Sequence, residues 1–218
     1  GKLEQLLLAL ATGDMAGFIP LAPGFRLAPG IRYVVTLDSD TGLPPATLRE
    51  LVAVAAHPLN APQFDKASRR VISGYGILQP RLVTPLPGPA QRTLFHRLFA
   101  GQCGIDPYSN GVSDIYQDLF GSGSFTGKGL LHVEAMHAVL NARLPEDSVL
   151  RHDLLEGSIT RCGFVNDVTL IEEYPHHAGV AALRLHRWSR GDWQLLPIMW
   201  RASHYGVDAL GLWKMADN

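Results

Sequence analysis

The sequence predicts an α/β fold in which helices flank a mostly parallel or mixed sheet. Segments rich in β-branched and aromatic residues, of which residues 31–37 are the clearest, favour strands. They alternate with segments whose apolar residues recur at helical spacing, such as residues 48–55. This alternation is typical of sheets covered by helices, in which ligands bind beyond the carboxyl ends of the strands. The 218 residues suffice for one sizeable core.

The elements are expected in the following order along the chain. A short helix over residues 6–11 precedes a Gly/Pro-rich segment over 13–30. The expected strands cover 31–37, 70–79, a segment ending near 120, and 168–171. The expected helices cover 48–57, 90–100, 131–141, a segment from about 152, and 180–188 or beyond. Pro58 should end the second helix near His57, because the residue before a proline is disfavoured in helical geometry.

The composition excludes several classes of protein. With 46% hydrophobic and 18% charged residues, the chain is not of the disordered type. The 19 basic and 20 acidic residues give a formal net charge of −1, which provides no general attraction to nucleic acid or to an anionic membrane. The two cysteines, Cys103 and Cys162, are too few for a disulfide scaffold. No apolar run reaches the ~20 residues of a membrane-spanning helix.

An acidic pair, Asp38 and Asp40, follows the first clear strand. Side chains two residues apart on an extended chain point to the same side. Two carboxylates placed in this way can share Mg²⁺ or Mn²⁺, and the cation can neutralise a departing diphosphate. The alternative is a solvated acidic turn, because Asp and Ser favour turns.

Residues 121–129 (GSGSFTGKG) form a Gly-rich segment. The phosphate-loop pattern fails because Gly129 stands where that pattern needs Ser or Thr. The dinucleotide pattern fails because Thr126 stands where its third glycine should be. Two interpretations stay open: a loop whose backbone approaches a ligand closely, or an ordinary turn.

Two further segments carry candidate functional groups. Asp153 and Glu156 lie three residues apart; Asp153 could be a general base, or it could cap the helix that it opens. Residues 186–194 (HRWSRGDWQ) contain two arginines, which suit phosphate, and two tryptophans, which suit sugar faces. The alternative there is an amphipathic helix with a core tryptophan and solvated arginines. His132 and His137 lack the spacing of a helical metal site.

Longer strings of sequence are more specific than these motifs. They are residues 33–44 (YVVTLDSDTGLP), 56–60 (AHPLN), 74–81 (GYGILQPR), 104–108 (GIDPY), 113–120 (SDIYQDLF), 123–129 (GSFTGKG), 152–157 (HDLLEG) and 186–194 (HRWSRGDWQ). In this order, over roughly residues 31–197, they resemble the glycosyltransferase domain of bacterial cyclic β-1,2-glucan synthases. That family has a GT-A type fold and is related to the processive cellulose, chitin and hyaluronan synthases.

The resemblance implies an inverting transferase that uses UDP-glucose as donor and a growing β-1,2-glucan as acceptor. It implies that Asp38 and Asp40 hold Mg²⁺ or Mn²⁺ and the diphosphate, and that Asp153 is the general base. The loop containing Gly127 and Lys128 would lie beside the acceptor. The remaining implied substrate-binding residues match the family's Q-x-x-R-W motif, with an arginine in place of Gln: Arg184, Arg187 and Trp188. His152 stands where the family has Glu before the catalytic aspartate.

The resemblance also implies an organisation of the chain. We expect a lead-in over residues 1–30, the catalytic and acceptor-side part over 31–200, and a C-terminal tail over 201–218. The family's nucleotide-binding βαβ unit is expected outside this chain, so we expect the isolated chain to be a poor enzyme or inactive. The parent protein is expected to be an integral membrane protein, with this part at the cytoplasmic face of the bacterial inner membrane.

Two other functions stay open from the residues alone. The first is a non-catalytic carbohydrate- or partner-binding module that retains the fold. The second, an unrelated glycan hydrolase, has only the carboxylates in its favour.

Overall fold

The fold combines a five-stranded mixed sheet, a separate β-hairpin and flanking helices. The structure is a computed structural model and describes residues 2–19, 27–65, 67–85, 88, 93–99, 114–141, 143 and 152–217. Its strands are β1 (Tyr33–Thr36), β2 (Thr41–Gly42), β3 (Gln63–Asp65), β4 (Arg70–Ser73), β5 (Ile77–Val83), β6 (Gly129–His132) and β7 (Cys162–Glu172). Its helices are α1 (Lys2–Thr12), α2 (Thr47–Ala56), α3 (Leu94–Phe99), α4 (Ile115–Phe120), α5 (Val133–Leu140), α6 (Asp153–Thr160), α7 (Ala178–Trp200), α8 (Ala202–Tyr205) and α9 (Ala209–Asp217).

The strand order of the large sheet is β1-β6-β5-β7-β2, and strands β3 and β4 form the hairpin. β6 runs antiparallel to both β1 and β5, β5 runs parallel to β7, and β2 pairs antiparallel with β7. Strands β1, β5 and β7 therefore run in one direction, and their carboxyl ends share an edge of the sheet. β6 starts at the same edge, because Gly129 pairs with Thr36.

Alternating side chains bury both faces of this sheet. Ile77 pairs with Leu131, and both belong to a core that includes residues of α1, α5, α6, α7 and α9. The next pair, Leu78 and Leu130, points to the other face and packs with Leu51 of α2. Successive residues of a strand face opposite sides of the sheet, so two apolar residues that are adjacent in sequence pack into two different cores.

The predicted fold class is confirmed in its mixed-sheet form. Within the five-stranded sheet only the β5–β7 pair is parallel, so the sheet is mostly antiparallel rather than mostly parallel. Strand–helix alternation does not fix strand direction, because β6 enters between β1 and β5 from a distant part of the chain. The architecture agrees with a partial α/β fold of the glycosyltransferase kind.

Several predicted elements change in type or length. The strand expected to end near residue 120 is helix α4, which the Asp114 carboxylate caps by accepting from the backbone N–H of Gln117 at 2.9 Å. The strand expected over 70–79 is divided at Gly74, whose φ of +65° interrupts the extended chain. Helix α2 ends at Ala56, immediately before His57, as the position of Pro58 predicts.

The segment 201–218, expected as a C-terminal tail, contains helices α8 and α9. Ala202 of α8 and Met215 of α9 are buried in the larger core, and Lys214 is buried as well. In the part of the chain that the structure describes, no helix combines the length and hydrophobicity needed to cross a membrane.

Candidate active site

An open groove of about 630 Å³ lies beyond the edge where β1, β5 and β7 end. Three segments line it: the turn after β1, the chain after β7, and the first half of α7. The lining residues used below are Asp38, Asp40, Arg184, Arg187 and Trp188. These five predicted site residues are up to 150 positions apart in the sequence, and the sheet edge brings them together.

The acidic pair sits on a turn rather than on an extended strand. β1 ends at Thr36, and the backbone N–H of Thr41 donates to the Asp38 carbonyl at 3.0 Å. The Asp38 N–H in turn donates to the Thr41 hydroxyl at 3.2 Å. The prediction of extended geometry was therefore wrong, since local hydrogen bonds favour the turn. Both carboxylates nevertheless belong to residues that line the same groove.

The acidic pair is chemically suited to a hard cation. The Asp38 side chain is 60% exposed, so its carboxylate is accessible from the groove. Among the described residues, no group of three or more His, Cys, Asp or Glu side chains is arranged to hold a metal ion. Mg²⁺ commonly uses only one or two protein carboxylates and completes its shell with water and substrate phosphates. The two aspartates fit that mode, and the metal itself stays a prediction.

Lys128 links the Gly-rich loop to the acidic pair. Its ammonium lies 3.0 Å from the Asp38 carboxylate and 3.1 Å from the carboxylate of Glu172, and its side chain is only 7% exposed. The sequence singled out Lys128 as part of the acceptor loop but gave no reason for its burial. The two ion pairs supply that reason, because a buried ammonium requires a charged partner.

Glu172, the last residue of β7, is the site residue that sequence reasoning missed. It is fully buried and pairs with both Lys128 and Arg184. The signal that could have indicated Glu172 is its place at the end of β7, where the alternation of buried and exposed residues leads to a buried position. The next residue, the second glutamate Glu173, is exposed. Carboxylates at such positions are almost never buried unless they are paired.

Helix α7 presents its motif residues to the groove. Arg184, Arg187 and Trp188 have the i, i+3, i+4 spacing that places side chains on one helix face. The Arg184 guanidinium lies 4.6 Å from the centre of the Trp188 ring, in a cation–π contact. Trp188 is half-buried at the groove rather than enclosed in the core, whereas Arg187 is exposed.

Asp153 lies against the Gly-rich loop. It is the first residue of α6, where a negative charge is favoured by the helix dipole. The φ of Gly127 is +94°, and a Cβ added there would lie 3.1 Å from both carboxylate oxygens of Asp153. The glycine thus permits both the backbone conformation and the approach of the carboxylate. The position places the predicted base directly beside the predicted acceptor loop.

The second carboxyl group of α6 is protonated over a wide pH range. Burial, reinforced by the nearby negative charges of Asp153 and Glu4, raises the pKa of Glu156 to about 8. At neutral pH Glu156 is therefore mostly uncharged, so Asp153 does not face a second full negative charge on its own helix.

Strand β5 of the sheet holds the Gly-rich loop in place. The side-chain carbonyl of Gln79, in β5, accepts from both the N–H and the hydroxyl of Thr126 at 3.0 Å. Gln79 is fully buried, and Phe125, which precedes Thr126 in the loop, is buried as well. These hydrogen bonds attach the loop to the sheet, so it is not an ordinary solvated turn.

Two further side chains hold the start of the loop. The Asp114 carboxylate accepts from the N–H of Ser124 at 3.2 Å. The buried ammonium of Lys214, in α9, donates to the carbonyls of Ser122 and Gly123 at 2.8 Å each. The C-terminal helix thus contributes directly to the conformation of the loop.

The chain matches a cyclic β-(1,2)-glucan synthase, NdvB of Rhizobium meliloti (strain 1021), with 46% identity over 219 residues. The match covers 100% of this chain. The chain is homologous to one segment of that synthase. This confirms the resemblance predicted from the eight strings of sequence. The segment spans 8% of the length of the synthase. No family model matches the chain.

The structure arranges the site residues predicted from the motifs in two neighbouring groups. Asp38, Asp40, Arg184, Arg187 and Trp188 line the groove. The other group is the loop pair Gly127 and Lys128 with Asp153. Lys128 joins the two groups through its ion pair with Asp38. His132, by contrast, caps α5, with its ring nitrogen accepting from Ala135 at 3.3 Å.

Proposed function

We propose that this chain is the catalytic and acceptor-side part of a glycosyltransferase that transfers glucose from UDP-glucose to a growing β-1,2-glucan. The observation that carries the proposal is the groove at the carboxyl edge of the sheet, which collects an acidic pair, two arginines and a tryptophan. The homology to a glucan synthase supports the same class of reaction. Because the chain corresponds to 8% of that synthase, donor, acceptor and product are part of the proposal.

Asp153 is the proposed general base. Its carboxylate would take the proton of the acceptor 2-hydroxyl as that oxygen attacks the anomeric carbon of glucose. The new C–O bond forms as the bond from the anomeric carbon to the diphosphate breaks, and UDP leaves with the electron pair. A single displacement of this kind inverts the configuration at the anomeric carbon. Gly127 supports this role, because its missing side chain leaves room for the Asp153 carboxylate.

The residues of the groove would bind the diphosphate and the sugar. When bound, a divalent cation held by Asp38 and Asp40 supplies positive charge to the leaving diphosphate. The exposed guanidinium of Arg187 can add charge and a hydrogen-bonding fork for phosphate oxygens. The half-buried indole of Trp188 offers a flat face for a sugar ring.

We also propose that the parent protein places this segment at the cytoplasmic face of the bacterial inner membrane.

Calorimetry separates this function from a non-catalytic carbohydrate-binding module. UDP and short β-1,2-glucans, each with and without Mn²⁺, are titrated into a chimera in which this chain replaces the matching segment of the Rhizobium meliloti synthase, because the nucleotide-binding βαβ unit is expected outside this chain. The transferase proposal predicts UDP binding that requires Mn²⁺ and is lost in the Asp38→Asn/Asp40→Asn double variant. Glucan binding that is indifferent to Mn²⁺, together with no UDP binding, would instead identify the module.

A further inference from the structure

One buried carboxylate, that of Glu172, connects the acidic wall of the groove, at Asp38, with its aromatic wall, at Trp188. Glu172 is fully buried, and its two oxygens are divided between two cations. Oε2 lies 3.1 Å from the Lys128 ammonium, and Oε1 contacts the Arg184 guanidinium. Removing a charge from water is costly unless it is paired, so Glu172 and its two cations constrain one another strongly.

Each cation continues to a groove residue on its far side. Lys128 also pairs with Asp38 at 3.0 Å, on the acidic wall. Arg184 also stacks over the ring of Trp188 at 4.6 Å, on the aromatic wall. The side chains of Lys128 and Arg184 are only 7% and 15% exposed, so little room exists for either to take another position.

The contacts also account for the arginine at position 184. The guanidinium donates hydrogen bonds but cannot accept them, and here it is directed at Glu172 and the Trp188 ring. A glutamine at this position, as in the family's motif, could not form the charge pair with Glu172. The departure from the motif is therefore matched by a complementary charge at the end of β7.

We propose that Glu172 is a positioning residue that sets Asp38 and Trp188 relative to each other across the groove, acting through Lys128 and Arg184. The inference rests on the proposed function in assuming that donor and acceptor occupy this groove. Without the Glu172 carboxylate, Lys128 would keep its ion pair with Asp38, whereas Arg184 would keep its contact with the Trp188 ring but lose its described carboxylate partner. Mutual repulsion would then move Lys128, Arg184 or both, and the indole of Trp188 with them.

Fluorine NMR of the whole 218-residue chain tests this inference. The four tryptophans are labelled as 5-fluorotryptophan, and the Trp188 resonance is assigned with Trp188→Phe. In Glu172→Gln we expect the Trp188 resonance to move by more than its line width while the other three resonances stay in place. We also expect amide hydrogen exchange of residues 123–128 to accelerate at least tenfold. Glu134→Gln, which removes an exposed carboxylate from α5, is the matched control and should change neither signal.

A second variant keeps the test decisive if Glu172→Gln fails to fold by circular dichroism. Lys128→Met removes the cation on the Asp38 side of Glu172, so the inference predicts a shift of the Trp188 resonance through Glu172 and Arg184. An unmoved Trp188 resonance in Lys128→Met, or in folded Glu172→Gln, overturns the inference. Neither readout uses UDP-glucose. Nucleotide binding therefore bears on the proposed function alone, and its outcome does not decide this result.

Discussion

At the scale of single residues, the contact between Gly127 and Asp153 is the most demanding feature of the site. The glycine adopts a φ of +94°, and the two Asp153 oxygens lie 3.1 Å from where a Cβ would stand. A side chain at position 127 would meet two obstacles at once, a strained backbone and a carboxylate with a proposed chemical role. Gly30 meets only the first, since its φ is +75° and nothing lies within 4 Å of its Cβ position.

Gly127→Ala should therefore harm activity more than stability. We expect a destabilisation of about 1–3 kcal/mol from the strained backbone. We expect roughly a 100-fold loss of glucan synthesis, because a small displacement of a reacting group is costly. Activity is measured in a chimera in which this chain replaces the matching segment of the Rhizobium meliloti synthase. Gly30→Ala should show a similar stability cost with activity retained; equal activity in the two variants would refute the role of the contact.

The raised pKa of Glu156 makes stability depend on pH. The pKa of this group rises from 4.5 to about 8 on folding, so between these values the folded state keeps a proton that the unfolded state has released. The resulting contribution to stability is fully present below about pH 4.5 and is lost as pH rises through about 8. Its slope is at most about 1.4 kcal/mol per pH unit.

Glu156→Gln should remove this contribution to the pH dependence. Urea unfolding of the chain and of the variant between about pH 5 and pH 8 gives the free energy of unfolding of each. We expect the variant to gain stability relative to the original chain as pH rises. A difference between the two that stays constant across this range would contradict the assignment, and Glu134→Gln provides the charge-matched control.

At the scale of elements, β5 and α9 hold the Gly-rich loop. Gln79 supplies one carbonyl to two donors of Thr126, and Lys214 supplies one ammonium to two loop carbonyls. A loop with many glycines loses much conformational entropy on ordering, so these fixed partners are needed to define it. The Asp153 carboxylate can therefore meet a loop that already has its final shape.

Gln79→Leu should loosen the loop and destabilise the fold. The substitution leaves the N–H and hydroxyl of Thr126 without their acceptor, at a cost of about 2 kcal/mol. The free energy of unfolding in urea measures this cost. Gln63→Leu, at an exposed position of β3, should change stability by less than about 0.5 kcal/mol. Equal effects of the two substitutions would show that Gln79 does not hold the loop.

Local sequence signals predicted elements well where periodicity or proline determined them. Helix α2 ends at Ala56 because of Pro58, and β1 lies within its predicted range. Helix α4 stands where the sequence predicts a strand ending near residue 120, and its capping residues, Asp114 and Gly121, enclose only six residues. β7 runs over 11 residues, although only its last apolar part was apparent from the sequence.

At the scale of the whole molecule, the site depends on strand order. β6 lies between β1 and β5, and this places the loop before β6 beside the acidic turn after β1. Sequence motifs predicted five of the residues that line the groove, but they could not show that β6 lies between β1 and β5. They also could not identify Glu172, because its partners at positions 128 and 184 meet it only in the folded chain.

The most direct test of the central claim is glucan synthesis by the chimera carrying Asp153→Asn. Asparagine keeps the size of the side chain but cannot accept a proton as a base. We expect synthesis of β-1,2-glucan to fall by about 10²–10⁴-fold while the chimera still binds UDP-glucose as tightly as before. Synthesis retained at the level of the unmodified chimera would contradict the assignment of Asp153 and with it the proposed mechanism.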